Sequence, residues 1–328
     1  MALSSIKLTA ISCCFILALL CCVSCSKLAI MSTPKKQAVA SNSPLAKQAE
    51  QQFWDTLHQG NYNDISQTEK LLTAAYIENP NDPSLAAHLG FTHIWKIAER
   101  QREKKLDPRI VNQIILAKKY FADAVQLAPN DARYLGFYGD SLLIEGKIFN
   151  DERQQTKGYF VLLDAIKKWP QFNYFTAGYS MSILPAGSTQ FNQALAWQWK
   201  PLDLCAGQTI DKNNPDFKPF MKLATQQGPA RACWNSTIAP HNFEGFFLNM
   251  GDMLVKKGNW QTAIKIYNNA KLSPTYAQWK YRQVLEERIR DAEENVAVFN
   301  QPSKLTDMPS EPTMMFNSRF ACMACHQE

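Results

Sequence analysis

The sequence predicts an all-α fold built as an array of helical hairpins, and one short stretch shows why. Ala117 and Ala124 lie seven residues apart with Phe121 between them, so the three share one face of a helix. The small alanines let a neighbouring backbone approach closely, and Pro129 ends the helix. A second apolar run begins at Leu135. We therefore expect two helices joined by a short turn as the basic unit.

The same spacing of small and large residues recurs along the chain, and this recurrence is the second observation. The recurring residues are Leu72, Ala75, Pro80, Ala86, Leu89 and Gly90 upstream, Gly158, Leu162, Ala165 and Pro170 downstream, and Phe247, Met250, Gly251, Leu254, Gly258, Ala263, Tyr267, Ala270 and Pro274 near the end. Copies at matching phase indicate a solenoid, in which each hairpin buries its apolar face on the next one.

The pattern resembles the tetratricopeptide repeat, a pair of antiparallel helices with a small-large-small motif on the second helix. The resemblance covers roughly residues 60–180 and 243–275. It implies a TPR-like helical-hairpin solenoid over residues 44–298, with an irregular middle segment. Proteins of this kind commonly bind a partner protein in the groove of the array, so the resemblance also implies a protein partner.

Composition supports an ordinary folded protein and argues against one class of partner. Hydrophobic residues make up 46% of the 328 and charged residues 20%, with a net charge of +6. The lysine pairs fall in separate segments and form no continuous basic stripe. We therefore expect no nucleic-acid partner.

The amino terminus has the pattern of an export signal. Lys7 precedes the apolar run LTAISCCFILALLCCV, which is short for a membrane span and ends in small residues. An uncleaved anchor helix is the alternative. Val23, Ser24 and Cys25 resemble a bacterial lipobox, which implies that residues 1–25 are a lipoprotein-type signal peptide and that Cys25 carries lipid.

Residues 26–43 are rich in Ser, Lys, Ala and Pro and hold too little apolar material to pack. We predict a flexible tether there, between the lipid and the helical domain of residues 44–298. By resemblance to bacterial lipoproteins, Ser26 in place of aspartate after that cysteine implies an outer-membrane position. The expected location is the periplasmic side of a bacterial cell envelope, with the membrane contacted through the lipid anchor.

Within the helical domain, residues 45–59 are predicted to form an opening amphipathic helix and residues 274–297 a closing one. The charged residues 101–108 are predicted to prolong a helix into solvent. Residues 174–239 depart most from the repeat pattern.

Cys205 and Cys233 flank a polar loop inside this irregular segment. In an exported protein a bridge between two such thiols is favoured, so we predict a disulfide; two separate buried cysteines are the alternative. Closing a loop of this length stabilises a protein by about 3 kcal/mol on the chain-entropy model.

The carboxyl-terminal tail, residues 299–328, is predicted to be extended, and it carries a motif with specific chemistry. Cys322, Cys325 and His326 match the CxxCH pattern of covalent c-type haem attachment. Two thiols at this spacing reach the two vinyl groups of one porphyrin edge, and the adjoining histidine becomes an axial ligand of the iron. Export favours this interpretation.

Three other interpretations of the cysteine pair remain open. They are a redox dithiol, a bare disulfide that staples the tail, and a zinc site with a further ligand from elsewhere. If haem is bound, the sixth iron ligand is open as well. The candidates are Met308, Met314, Met315 and His241.

Two functional hypotheses follow. The first is an exported, lipid-anchored TPR-like protein with one covalent haem c, acting in electron transfer or haem-based sensing within an envelope complex. The second is a non-haem scaffold that binds a partner protein, with the tail cysteines as a disulfide or redox dithiol. The sequence has no nucleotide loop, nucleophile elbow or HExxH motif, so an enzyme is the less favoured interpretation.

Overall fold

A computed structural model describes residues 27, 31–103, 105–222, 227–233, 241–302 and 312–326. These ranges contain twelve α-helices and no strand, which confirms the predicted all-α class. The helices are α1 (Pro44–His58), α2 (Ile65–Glu78), α3 (Pro83–Ala98), α4 (Val111–Leu127), α5 (Ala132–Ile148), α6 (Glu152–Lys168), α7 (Pro170–Ser180), α8 (Thr189–Ala206), α9 (Phe243–Lys257), α10 (Trp260–Ala270), α11 (Arg282–Arg290) and α12 (Asn295–Phe299). The predicted signal peptide, with Cys25, lies outside the described residues.

Local sequence explains where several helices begin. The side chains of Asp82, Asp131 and Asp151 accept hydrogen bonds from backbone N–H groups in the first turns of α3, α5 and α6. Proline occupies the first position of α1, α3 and α7, where its missing N–H leaves no hydrogen bond unmade.

Consecutive helices approach most closely where a glycine of one helix lies against a large side chain of the next. A Cβ added to Gly90 of α3 would lie 2.9 Å from the ring of Phe121 in α4. Gly139 of α5 meets Leu162 of α6 in the same way. Gly251 of α9 meets Tyr267 of α10, which would approach an added Cβ within 2.1 Å. These are residues of the recurring pattern, so the pattern marks the places where helices approach most closely.

The core consists of two large apolar clusters among the described residues. One is formed by α1 to α4, and the other extends from α6 to the carboxyl terminus. The tail contributes to both, because Cys322 and Met323 belong to the first cluster while Phe320 and Cys325 belong to the second. No described helix is long and apolar enough to span a bilayer.

The tail differs from its predicted extended form. Residues 312–326 fold into turns, with a short 3-10 turn at Met315–Asn317, and most of these residues are buried. They belong to the same compact unit as the helices, residues 38–328. The prediction of an extended tail was therefore wrong over this range, because buried polar groups of the helical body supply partners for its backbone.

The end of the predicted tether also belongs to the helical unit, whose boundary lies between residues 37 and 38. The Val39 N–H donates to the carbonyl of Asn81 at 2.9 Å, and the Ser41 N–H donates to Asp82 at 2.6 Å. Residues 38–43 are thus bound to the turn between α2 and α3.

Two predicted helices also differ in detail. The charged segment after α3 does not prolong it: short 3-10 turns at Arg100–Arg102 and Pro108–Ile110 separate α3 from α4. Pro108 disfavours helix at the residue before it. The predicted closing helix is divided into α11 and α12.

A disulfide joins Cys205 at the end of α8 to Cys233, with Cα atoms 5.8 Å apart. The bond ties the irregular middle segment, in which the 3-10 turn Gly228–Ala232 precedes Cys233, to the last turn of α8.

Candidate functional site

The segment that holds the two tail cysteines is fixed first by a buried carboxylate at the end of α3. Glu99 is completely buried, and its Oε1 accepts the backbone N–H groups of Cys322 at 2.9 Å and Met323 at 2.8 Å. Its other oxygen accepts from Arg102 at 2.6 Å. Burial raises the pKa of Glu99, and Arg102 opposes that rise. The CxxCH turn is therefore attached to a residue more than two hundred positions away.

The start of α9, together with Trp279 from the segment after α10, holds the other side of the turn. The Asn242 N–H donates to the carbonyl of Cys325, and the Trp279 indole donates to the carbonyl of Ala324, both at 2.9 Å. A Cβ on Gly245 would lie only 2.6 Å from the Cys325 sulfur. Gly245 thus lets the first turn of α9 lie directly against the cysteine.

Upstream of the motif, Asp252 of α9 anchors the tail again. It is fully buried and accepts hydrogen bonds from the Tyr267 hydroxyl at 2.7 Å and from the Met315 N–H at 2.6 Å. Arg288, 3% exposed at its side chain, pairs with Asp252 at 3.2 Å and donates to the carbonyl of Thr313. This ion pair compensates the burial that raises the pKa of Asp252.

The anchored tail lines one side of a cavity of about 610 Å³ between α3, α5 and α7. This volume lies within the ~300–1,000 Å³ range of cofactor and ligand sites. Most of its lining is apolar, and the principal apolar side chains are Phe91, Ile94, Ile97, Val111, Phe137, Ile144, Ile148, Phe175, Ile183 and Phe316. Both tail cysteines and His326 line the same cavity.

A second histidine faces His326. The ring centroids of His241 and His326 are 4.5 Å apart, and both side chains line the cavity. Aromatic side chains enclose the pair, with Phe175 at 4.8 Å from His241 and Phe91 at 5.7 Å from His326. Asn242 caps the amino terminus of α9 by accepting from the Gly245 N–H, which fixes the residue just before it.

Burial lowers the pKa of His241 to about 4, so its imidazole is neutral near pH 7. A neutral imidazole retains the lone pair that binds a metal. Of the other residues predicted as sixth ligands, Met314 and Met315 are buried in the apolar core and do not line the cavity. Met308 lies outside the described residues.

Cys322 and Cys325 are both buried, and no disulfide joins them in the described chain. Burial raises the pKa of the Cys322 thiol well above its ordinary value, with Glu99 adding to the effect, and burial likewise raises that of Cys325. Reactive redox dithiols have the opposite property, a lowered pKa. The described residues contain no group of three or more Cys, His, Asp or Glu side chains arranged to hold a metal ion.

Four ionisable residues of the cavity escaped the sequence reasoning: Arg100, Asp140, Lys147 and Tyr179. Asp140 is 3% exposed, and burial raises its pKa to about 7. The sequence signal for Asp140 was a carboxylate next to Gly136, Gly139 and Leu142, on the face of α5 that packs against other helices. This signal could be used only if the buried face of α5 were already known.

Comparison of the chain with known protein families, with curated proteins and with solved structures finds no match.

Proposed function

We propose that this protein carries one haem c in the cavity, attached through Cys322 and Cys325, with His326 as one axial ligand of the iron and His241 as the other. The observation that carries the proposal is the convergence of these four side chains on one apolar cavity. A CxxCH motif alone predicts attachment and one histidine ligand. The second buried imidazole, His241, would supply a second ligand for the iron.

The donor set fits this cofactor. Thioether formation consumes both thiols, and neither is tied up in a disulfide within the described residues. The apolar, aromatic-rich lining suits a porphyrin. The two imidazole rings lie within the same cavity, with centroids 4.5 Å apart, so both would be available to hold the iron.

The bound haem would supply one-electron redox chemistry. An iron held by both histidines would have no position left for a gas or for peroxide, which favours electron transfer over haem-based sensing. His241 and His326 would hold the iron, and Glu99 and Asn242 position the chain that carries His326. The proposed setting is an envelope complex, in which the TPR-like helical array binds a protein partner and a lipid on Cys25 holds the protein at the membrane.

The test is haem staining on a denaturing gel, together with absorption spectra, for protein made in a host with periplasmic c-haem maturation. We expect a covalent Soret band in the wild type and its loss in the double variant Cys322→Ser, Cys325→Ser. The double variant Cys205→Ser, Cys233→Ser is the matched control, since it removes two cysteines remote from the motif and should keep the stain. A colourless wild type in a host that matures another c-type cytochrome contradicts the proposal.

The axial assignment has its own readout. His241→Ala should open one iron position, so that the reduced protein binds carbon monoxide, whereas the wild type should not. Carbon monoxide binding by the wild type would overturn the assignment of His241.

If the wild-type protein instead contains no haem, the scaffold hypothesis, in which the helical groove binds a partner protein, is the better account.

A further inference from the structure

The cavity contains a carboxyl group that nothing in the described structure neutralises. Asp140 lines the cavity from α5, and its Oδ1 is buried without a hydrogen-bond partner among the described residues. A buried carboxylate without a compensating partner is costly, and proteins reduce that cost by protonating it. Asp140 therefore holds a proton far more readily than a surface aspartate.

The groups that face Asp140 offset its burial only in part. Beside it from α7 lies Ser180, whose hydroxyl hydrogen-bonds to the carboxylate and lowers the pKa of Asp140, but burial outweighs this effect. The other titratable or charged residues around the cavity are Arg100 from α3, Lys147 from α5, Tyr179 from α7, and His241, Cys322, Cys325 and His326. Desolvation is the dominant cause of the raised pKa, and none of these charges contributes to it.

Asp140 lines the same cavity as the imidazole pair, and ring contacts lead from His326 to the turn of α5 that carries Asp140. Phe91 touches the ring of His326 at 5.7 Å, and Phe137 touches Phe91 at 5.2 Å. Asp140 follows Phe137 by three residues, about one turn of α5. A change of charge at the histidine pair would therefore act on Asp140 through a largely apolar interior, where electrostatic interactions are weakly screened.

We propose that Asp140 is a redox-linked proton site, which binds a proton when iron held in the same cavity gains an electron and releases it when the iron is oxidised. This inference rests on the proposed haem function. The electron comes from a one-electron donor protein and the proton from solvent, so that reduction by one electron is accompanied by uptake of up to one proton on the Asp140 carboxylate. The added negative charge at the iron disfavours a second negative charge on Asp140, which is the physical basis of the coupling.

The sign of the pH dependence follows. Because the reduced state binds the proton more tightly, the reduction potential falls as pH rises through the range in which Asp140 titrates. The raised pKa of Asp140, about 7 without haem, places that range near neutrality. For full coupling, each tenfold change in proton concentration changes the potential by ~59 mV.

The experiment is a spectroelectrochemical titration of the full-length holoprotein between about pH 5 and pH 9. We expect a falling potential in the wild type and a nearly constant potential in Asp140→Asn, which keeps the shape but cannot ionise. Asp164→Asn, an exposed residue of α6, removes the same charge remote from the cavity and should retain the wild-type slope. A slope unchanged in Asp140→Asn would overturn the inference.

A second variant keeps the inference testable if Asp140→Asn fails to mature. The Ser180 hydroxyl lowers the pKa of Asp140. Ser180→Ala should therefore raise that pKa and move the pH range in which the reduction potential falls to higher pH. An unmoved curve contradicts the inference. Failure of the proposed function is distinguishable, because the wild type would then lack covalent haem altogether; covalent haem with a slope independent of Asp140 overturns this inference alone.

Discussion

The paired helices α3 and α4 and the carboxyl-terminal segment 312–326 are both buried, but they are held by different kinds of contact. Phe121 of α4 packs on Gly90 of α3 within an apolar cluster. The tail also contributes to the apolar clusters, but it is held in addition by hydrogen bonds to two buried carboxylates, Glu99 and Asp252, which lie 223 and 63 residues before their tail partners Cys322 and Met315.

Apolar packing stabilises the helical core, whereas hydrogen bonds to buried carboxylates position the tail. Apolar packing is non-directional and tolerates small displacements. Hydrogen bonds to a buried carboxylate fix both distance and angle. The residues that carry the proposed chemistry lie on the segment held by directional contacts, so we expect variants of the two regions to fail in different ways.

The largest effect should follow Phe121→Ala. Removing a fully buried ring next to Gly90 leaves a cavity, and we expect a loss of ~3–5 kcal/mol in the free energy of unfolding by urea titration. Phe160→Ala, at a ring that is 60% exposed, is the matched control and should cost less than ~1 kcal/mol. Equal losses in the two variants would contradict the assignment of Phe121 to the core.

Asp252→Asn should cause a smaller loss in the free energy of unfolding, together with faster hydrogen exchange confined to the tail. The change leaves the buried Arg288 guanidinium without its countercharge, which we expect to cost ~2–3 kcal/mol. Hydrogen exchange should become faster at the Met315 amide, while α4 keeps its protection. Asp291→Asn breaks an exposed pair with Arg290 and should change neither quantity appreciably. If amides in α4 lost protection from hydrogen exchange as much as the Met315 amide, Asp252 would not be a local anchor of the tail.

The smallest effect should distinguish charge from hydrogen bonding at Glu99. In Glu99→Gln an amide oxygen can still accept from Cys322 and Met323, so a loss of ~1 kcal/mol or less is expected with little change in the exchange of these two amides. Glu99→Ala removes the acceptor, and both amides should lose protection. Rapid exchange in Glu99→Gln as well would mean that the charge, rather than the acceptor, holds the motif.

The helical fold could be predicted in large part because its signals are local. The residues Ala117, Phe121 and Ala124 predicted a packed face and are buried together in α4. Helix boundaries followed caps and prolines within a few residues of the expected positions. The segment after α3 and the tail could not be predicted, since their conformation depends on Glu99, which looks like an ordinary member of a charged run.

At the candidate site, too, local spacing could be predicted from the sequence and contacts between distant residues could not. The spacing of Cys322, Cys325 and His326 was sufficient to propose haem, but it left four sixth-ligand candidates open. The structure brings one of them, His241, to the cavity, because the cap at Asn242 and the approach of Gly245 fix it opposite His326.

Residues only a few positions apart encode the all-α class, the close-packing positions of the helices and the CxxCH motif, so these features could be predicted from the chain alone. Burial of the motif in a cavity with a second histidine and with Asp140 depends instead on the tertiary structure. Those neighbours come from α5, from the start of α9 and from the chain terminus. Contacts between such distant segments depend on how the helices pack, and helix packing has no short sequence signature.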